Sequence, residues 1–282
     1  MTSRALAVTF LALCGLGASA CGGAASTSAA EAAGPRTADM RSVAAQPASS
    51  SARAATAGTP SPAKPLAGKV IVIDPGHNGG NYRHPEVVNK KVDVLTEWKP
   101  CDTTGTATND GYSEAAFTWD VANRMVKLLK AKGATVELTR DSNTGVGPCI
   151  TQRAAIGNKA HANAAVSIHA DGAPASGRGF HIIMPKKING PVDPVVGRSK
   201  KLGLALREAY KSGTGMPYST YLGKDALDFR SDLGGLNLST VPKVFIETGN
   251  MRNPTDAAKL KDPAFRQRIA ASLAEGLQKY LG

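Results

Sequence analysis

Lys69-Val70-Ile71-Val72-Ile73-Asp74-Pro75-Gly76-His77 is the stretch on which the fold turns. Four consecutive β-branched residues stop at an acid, a Pro-Gly break and a histidine. A short apolar run bounded by turn residues reads as a buried strand. Polar residues at the end of such a strand stand where α/β sheets place their sites.

Working outward, apolar runs alternate with helical periodicities. Thr135 to Thr139, Ala164 to Ile168, Phe180 to Met184 and Val244 to Ile246 read as further strands. Between them, Glu114 to Lys132 carries Phe117, Val121, Met125 and Leu128 at helical spacing, with Gly133 placed to cap it. Thr151 to Ala162, Pro194 to Lys211 and Pro263 to Leu281 read as helices too. This alternation predicts an α/β fold: a single domain with a mostly parallel central sheet flanked by helices. There is no internal repeat.

The ends of the chain read differently. In residues 1–21, Arg4 precedes an apolar run from Ala5 to Leu16, and Ala18-Ser19-Ala20 is a small-residue cleavage pattern. That is a secretory signal peptide. Cys21 follows directly and resembles the lipobox of bacterial lipoproteins, with Ala18 where that motif usually has Leu. Lipidation at Cys21 and simple secretion both remain open. Of the 44 residues from 22 to 65, 35 are Ala, Gly, Pro, Ser or Thr. Such a composition buries too little apolar area to offset its ordering entropy. It reads as a disordered tether spanning about 35–40 Å. The folded domain is expected at 66–282, and it is expected in the periplasm or cell wall.

Composition narrows the function classes. The chain has 282 residues, and 34 basic against 22 acidic residues give +12. Of these, 29 basic and 20 acidic residues fall in 66–282, so the domain holds most of the excess. That fits attraction to an acidic polymer. Aromatic residues at 5% argue against a reader of stacked bases, so no nucleic-acid partner is expected. No apolar run is long enough for a transmembrane helix. A monomer is expected. Cys14 and Cys21 belong to the leader, leaving Cys101 and Cys149. Two cysteines in an exported domain are expected to pair. Closing their 48-residue separation is worth roughly 4 kcal/mol in the chain-entropy model.

The chemistry lies at strand ends. His77, His169 and Glu247 each follow an apolar run, and Glu114 opens the long helix. Two histidines and a glutamate form a ligand set known for catalytic zinc, with one position open to water. A further carboxylate suits the general base. Glu114 in a first helical turn is equally explained by the helix dipole.

These residues also carry a family resemblance. Val70 to His77, Glu114, Ser167 to Ala170 and Val244 to Gly249 fall in the order of the type-3 zinc N-acetylmuramoyl-L-alanine amidases. Thr139-Arg140-Asp141, Arg153, Asn158 and Asn253-Pro254 are smaller matches between and after them. The resemblance covers residues 69 to 281. It implies that His77, Glu114 and His169 bind Zn²⁺. It implies that Glu247 is the catalytic acid/base, acting on the amide between the muramic acid lactyl group and L-alanine of peptidoglycan stem peptides.

Two departures stand out. Asn78 replaces a glycine of the usual Gly-Gly, and 36 residues separate His77 from Glu114, long for the family. Glu86, Glu97 and Asp110 in or near that insert are rival ligands; Glu114 is preferred because it alone begins a periodic helix. His84, His161 and His181 match no ligand position and read as structural. Arg230 in Asp228-Phe229-Arg230-Ser231-Asp232 is either a contact for a substrate carboxylate or an ion pair with a neighbouring aspartate. The remaining alternatives in function are a zinc peptidase cutting within the stem peptide and a non-catalytic wall-binding zinc protein.

Overall fold

The computed structural model describes residues 64–282. The signal peptide, Cys21 and nearly all of the tether lie outside them. The elements run β1 (Val70–Pro75), α1 (Pro85–Val88), β2 (Lys91–Asp93), β3 (Trp98–Pro100), α2 (Glu114–Ala131), β4 (Thr135–Leu138) and α3 (Ile150–Lys159). They continue β5 (Ala164–Asp171), β6 (His181–Pro185), α4 (Val196–Thr214), β7 (Leu227–Arg230), α5 (Gly234–Asn237), β8 (Lys243–Asn250), α6 (Pro254–Lys261) and α7 (Pro263–Leu281).

Six strands form one sheet in the order β4-β1-β5-β8-β6-β7. Every neighbouring pair is parallel except β6 against β8, which is antiparallel. The α/β architecture is therefore as the alternation predicts. The sequence reading missed the reversal and β7, which is short and half polar. It also missed the small antiparallel hairpin of β2 and β3.

The two faces of the sheet differ in kind. Ile71, Ile73, Val166, Ile168, Val244, Ile246, Ile182 and Met184 share one face. They pack against Phe117, Val121 and Met125 of α2, Leu202, Leu206 and Tyr210 of α4, and Phe265, Ile269 and Leu273 of α7. Each large apolar side chain buried there contributes roughly 1.5–3 kcal/mol. The long helices exist because their apolar stripes have this face to cover. No helix among the described residues is long and apolar enough to cross a membrane.

The other face carries Val72 and Ala165, packed under Ile156 and Ala160 around α3. Beyond them the pattern turns polar: Asp74 and Ser167 beside Phe245, then His169, Glu247 and His181 in register. Asp74 is the knot. It accepts from Ser167 Oγ at 2.5 Å, Thr139 Oγ1 at 2.6 Å, Arg153 Nη1 at 2.9 Å and Lys243 Nζ at 3.0 Å. These partners come from β5, the end of β4, α3 and β8. Burial alone would push this carboxyl up. Lys243 and Arg153, with the two hydroxyls, outweigh it and hold the carboxyl well below its usual range.

Breaking a buried ion network by removing one partner costs about 3–5 kcal/mol. Asp74→Asn is expected to lower the unfolding free energy by that amount, read as a lower urea midpoint at an unchanged slope. The carboxyl titrates below its unfolded value of about 3.9. Its contribution is thus complete above that pH and is lost as pH falls through the lower folded value. Urea titrations of both proteins across pH 3–7 check this: wild type should lose part of its margin below pH 4, and the variant should not lose that part.

Candidate metal centre and active site

His77 leaves the end of β1 in a left-handed backbone conformation, φ 59°. That conformation costs a non-glycine residue on the order of 1–3 kcal/mol. Arg153 Nη2 donates to the His77 carbonyl at 2.9 Å and helps hold it there. Glu114 is the first residue of α2, whose N-cap Ser113 accepts from the Ala116 amide. His169 stands near the end of β5.

These three converge. His77 Nε2 lies 3.2 Å from Glu114 Oε2, and His169 Nδ1 lies 3.0 Å from Glu114 Oε1. The two rings meet edge to face at 5.0 Å. One ligand atom from each residue falls within 4.8 Å of the others. Glycines make the close approach possible. A Cβ on Gly76 would overlap the His169 ring, and one on Gly105 would sit 2.7 Å from His77 Cδ2 and 2.8 Å from Glu114 Oε2. Two imidazoles and a carboxylate drawn this tightly around one point suit a divalent transition-metal ion.

The electrostatics agree with the donor set. Burial disfavours a charged His77, but Glu114 and Asp102 overcome it and raise the ring to about 10. Burial would raise Glu114, yet His77 and His169 hold it below the usual carboxylate range. The cluster therefore favours positive charge at its centre.

Glu247 pairs in register with His169 on one side and His181 on the other, so the three side chains share one row of the sheet. It lines the same cavity of about 270 Å³ as the triad. Its Oε2 is buried and has no partner among the described residues. Burial, then Asp171 and Glu114, push this carboxyl well above its ordinary value. Phe245 stacks on His169 at 5.2 Å and 13° and covers that side.

The rival acids lie elsewhere. Glu86 pairs with His84, Glu97 with Lys99, and Asp110 with Lys261. His84 and His161 are exposed, while His181 is fully buried beside Glu247. Arg230 lines the cavity wall, and its guanidinium binds Asp232 through Nε at 2.8 Å and Nη2 at 2.5 Å. Lys99 reaches Asp232 as well, at 3.4 Å.

The insert supplies what the motif reading missed. Cys101 and Cys149 form a disulfide, with Cα atoms 4.5 Å apart. Cys149 is not in an open loop; it is the N-cap of α3, so the bridge ties the insert to a helix start. Immediately after Cys101, Asp102 Oδ1 lies 3.4 Å from His77 Nδ1, and the Thr103 carbonyl lies 3.1 Å from the same nitrogen. Asp102 Oδ2 accepts from Arg153 Nη2 at 3.0 Å. The signal for Asp102 was present: it adjoins one cysteine of a pair whose other member opens the Arg153 helix.

Fold and site together define a metal-dependent hydrolase built on an α/β sheet. The family model described as N-acetylmuramoyl-L-alanine amidase matches residues 71–279. N-acetylmuramoyl-L-alanine amidase Rv3717 of Mycobacterium tuberculosis is 39% identical over 218 residues, 77% of this chain and 88% of that protein. The solved structure of the amidase Ami1 from Mycobacterium smegmatis superposes with a TM-score of 0.72 at 38% identity, covering 77% of this chain and 98% of that one. The apo form of Ami1 from Mycobacterium abscessus gives 0.72 at 40% identity, covering 77% and 100%. The chain belongs to the N-acetylmuramoyl-L-alanine amidase family.

Carboxylates that orient a ligating histidine change metal affinity about 10–100-fold when removed. Asp102→Asn is expected to weaken metal binding by that factor while leaving one site per chain. Competition against a chromophoric chelator measures it, and an unchanged affinity would remove Asp102 from the site.

Proposed function

We infer that this protein hydrolyses the amide between the N-acetylmuramoyl lactyl group and L-alanine in peptidoglycan, with zinc held by His77, Glu114 and His169. The observation that carries this reading is the convergence of those three side chains within 4.8 Å, with Glu247 beside them in one cavity. Zinc bound there supplies Lewis acidity, which lowers the pKa of bound water and polarises the scissile carbonyl.

The chain's own residues do the rest. Glu247 is the acid/base: it takes the proton released as water oxygen bonds to the carbonyl carbon. It returns that proton to the alanine nitrogen as the C–N bond breaks. A buried carboxyl with Asp171 and Glu114 nearby holds a proton well, which suits the second step. Positive charge held by the triad opposes that tendency and suits the first step. Asp102 and Thr103 fix the His77 ring, and Phe245 shields His169 from water. Both cysteines of the described residues are in the disulfide, so no thiol nucleophile enters.

The chain acts outside the cytoplasmic membrane. The pattern of residues 1–21 supports export, with lipidation at Cys21 and simple secretion as the two routes it allows. The disulfide and the basic excess of the domain fit an oxidising compartment with an acidic polymer.

Glu247→Gln is expected to retain stoichiometric zinc yet lose at least about a hundredfold in turnover, the lower range for a general acid/base. Mass spectrometry of digested muropeptides should show intact stem peptides with free L-alanine amino groups, abolished by a chelator. Products cut within the stem would identify a peptidase instead, and zinc-loaded protein releasing nothing would identify a binding protein.

A further inference from the structure

A second cleft, about 510 Å³, opens beside the triad cavity. That size falls within the range of small-molecule pockets. Its walls include Asn78, Tyr82, Thr104, Thr106, Ser113 and Arg252. All but Arg252 come from the stretch between His77 and Glu114. Gly105 and Gly172 line both this cleft and the triad cavity, so the two spaces adjoin. The two spaces are also mechanically joined: the Thr106 amide donates to Glu114 Oε2 at 2.9 Å.

The walls are hydroxyl-rich, with one cation, Arg252, no acid and one aromatic platform, Tyr82. Tyr82 is 66% exposed, with the Arg83 guanidinium 5.0 Å from its ring centroid. Asn78, the residue that interrupts the family's glycine pair, is 5% exposed. Its Nδ2 donates to the Gly147 carbonyl at 2.9 Å, which fixes the carboxamide. Its Oδ1 is buried with no partner among the described residues. Such an acceptor calls for a donor. Hydroxyl and acetamido groups pair with the hydroxyls of Thr104, Thr106 and Ser113 that line the cleft, and an exposed ring matches the C–H face of a pyranose. A separate slot that shares no lining residue with this cleft touches His77 and His169 and is lined by Lys99, Arg230, Asp232 and Phe245. Charged groups beside an aromatic ring suit a peptide with carboxylates.

The geometry points to this cleft as the saccharide subsite, taking the N-acetylated amino sugar of the glycan while the stem peptide takes the other slot. This assignment rests on the amidase reading above.

The test compares three substrates on the full chain: a disaccharide tripeptide, N-acetylmuramoyl tripeptide and D-lactoyl tripeptide, which keeps the scissile amide and lacks the sugar. Wild type should cleave the lactoyl peptide least efficiently. Tyr82→Ala, at an exposed position that does not threaten folding, should raise KM for the sugar-bearing substrates about five- to tenfold, the range of an aromatic contact residue. It should change kcat less than twofold and leave the lactoyl peptide's kcat/KM unaltered. Thr104→Val should act in the same direction, and Trp98→Ala, exposed outside the cleft, should not. Unchanged KM in both cleft variants, or an equal rise for the lactoyl peptide, overturns the assignment. Wild-type protein that releases stem peptide from none of the three overturns the amidase reading instead.

Discussion

All three nitrogens of the Arg153 guanidinium are engaged, and what they engage is the frame of the site. Nε donates to the Pro148 carbonyl at 2.8 Å, and Nη1 reaches Asp74 and the Pro75 carbonyl. Nη2 reaches the His77 carbonyl, Asp102 and the Gly147 carbonyl. A planar, permanently charged fork is one of few groups that can satisfy so many acceptors from one buried position. Through it, the end of β1, the return limb of the insert and the start of α3 are held in one arrangement. The strained backbone of His77 persists because this frame over-determines it.

The site places like charges close together by design of the sheet. In-register pairing sets His169, Glu247 and His181 side by side, and helix α2 brings Glu114 over the row. Four acids, Asp102, Glu114, Asp171 and Glu247, crowd a buried region. Arg153 and His77 offset part of that charge. The remainder is what a divalent cation neutralises, so metal affinity and the acidity of Glu247 are linked through the same local charge.

Much of this was legible in the amino-acid sequence, for physical reasons. β1 announces itself because both its faces are buried, and α2 because one stripe must be apolar. His77, His169 and Glu247 stand out because each follows an apolar run, although His169 and Glu247 lie within β5 and β8 and not beyond their ends. β7 was invisible because Leu227–Arg230 is only four residues long at the half-exposed sheet edge, so its apolar–polar alternation is too short to stand out from the loop around it. The antiparallel direction of β6 was invisible because it depends on which neighbour the strand finds, not on its own residues. Asp102 and Thr103 carry no pattern of their own. Their role comes from the disulfide and from Arg153, both contacts between segments distant in the chain. For Arg230 the sequence left a substrate contact and an aspartate ion pair open, and the guanidinium pairs with Asp232 at the cavity wall.

The separation of the sheet into an apolar face and a polar one has a consequence for how such an enzyme changes over time. The residues that set stability, from Ile71 to Leu273, lie under α2, α4 and α7. Most of those that set chemistry and substrate choice lie on the other side or in the insert. Substitutions more than about 7–10 Å apart with no shared partners usually add independently. Selection can therefore retune the insert and cleft without drawing on the core. The exception is the Asp74 knot, where a change made for one purpose is felt in both.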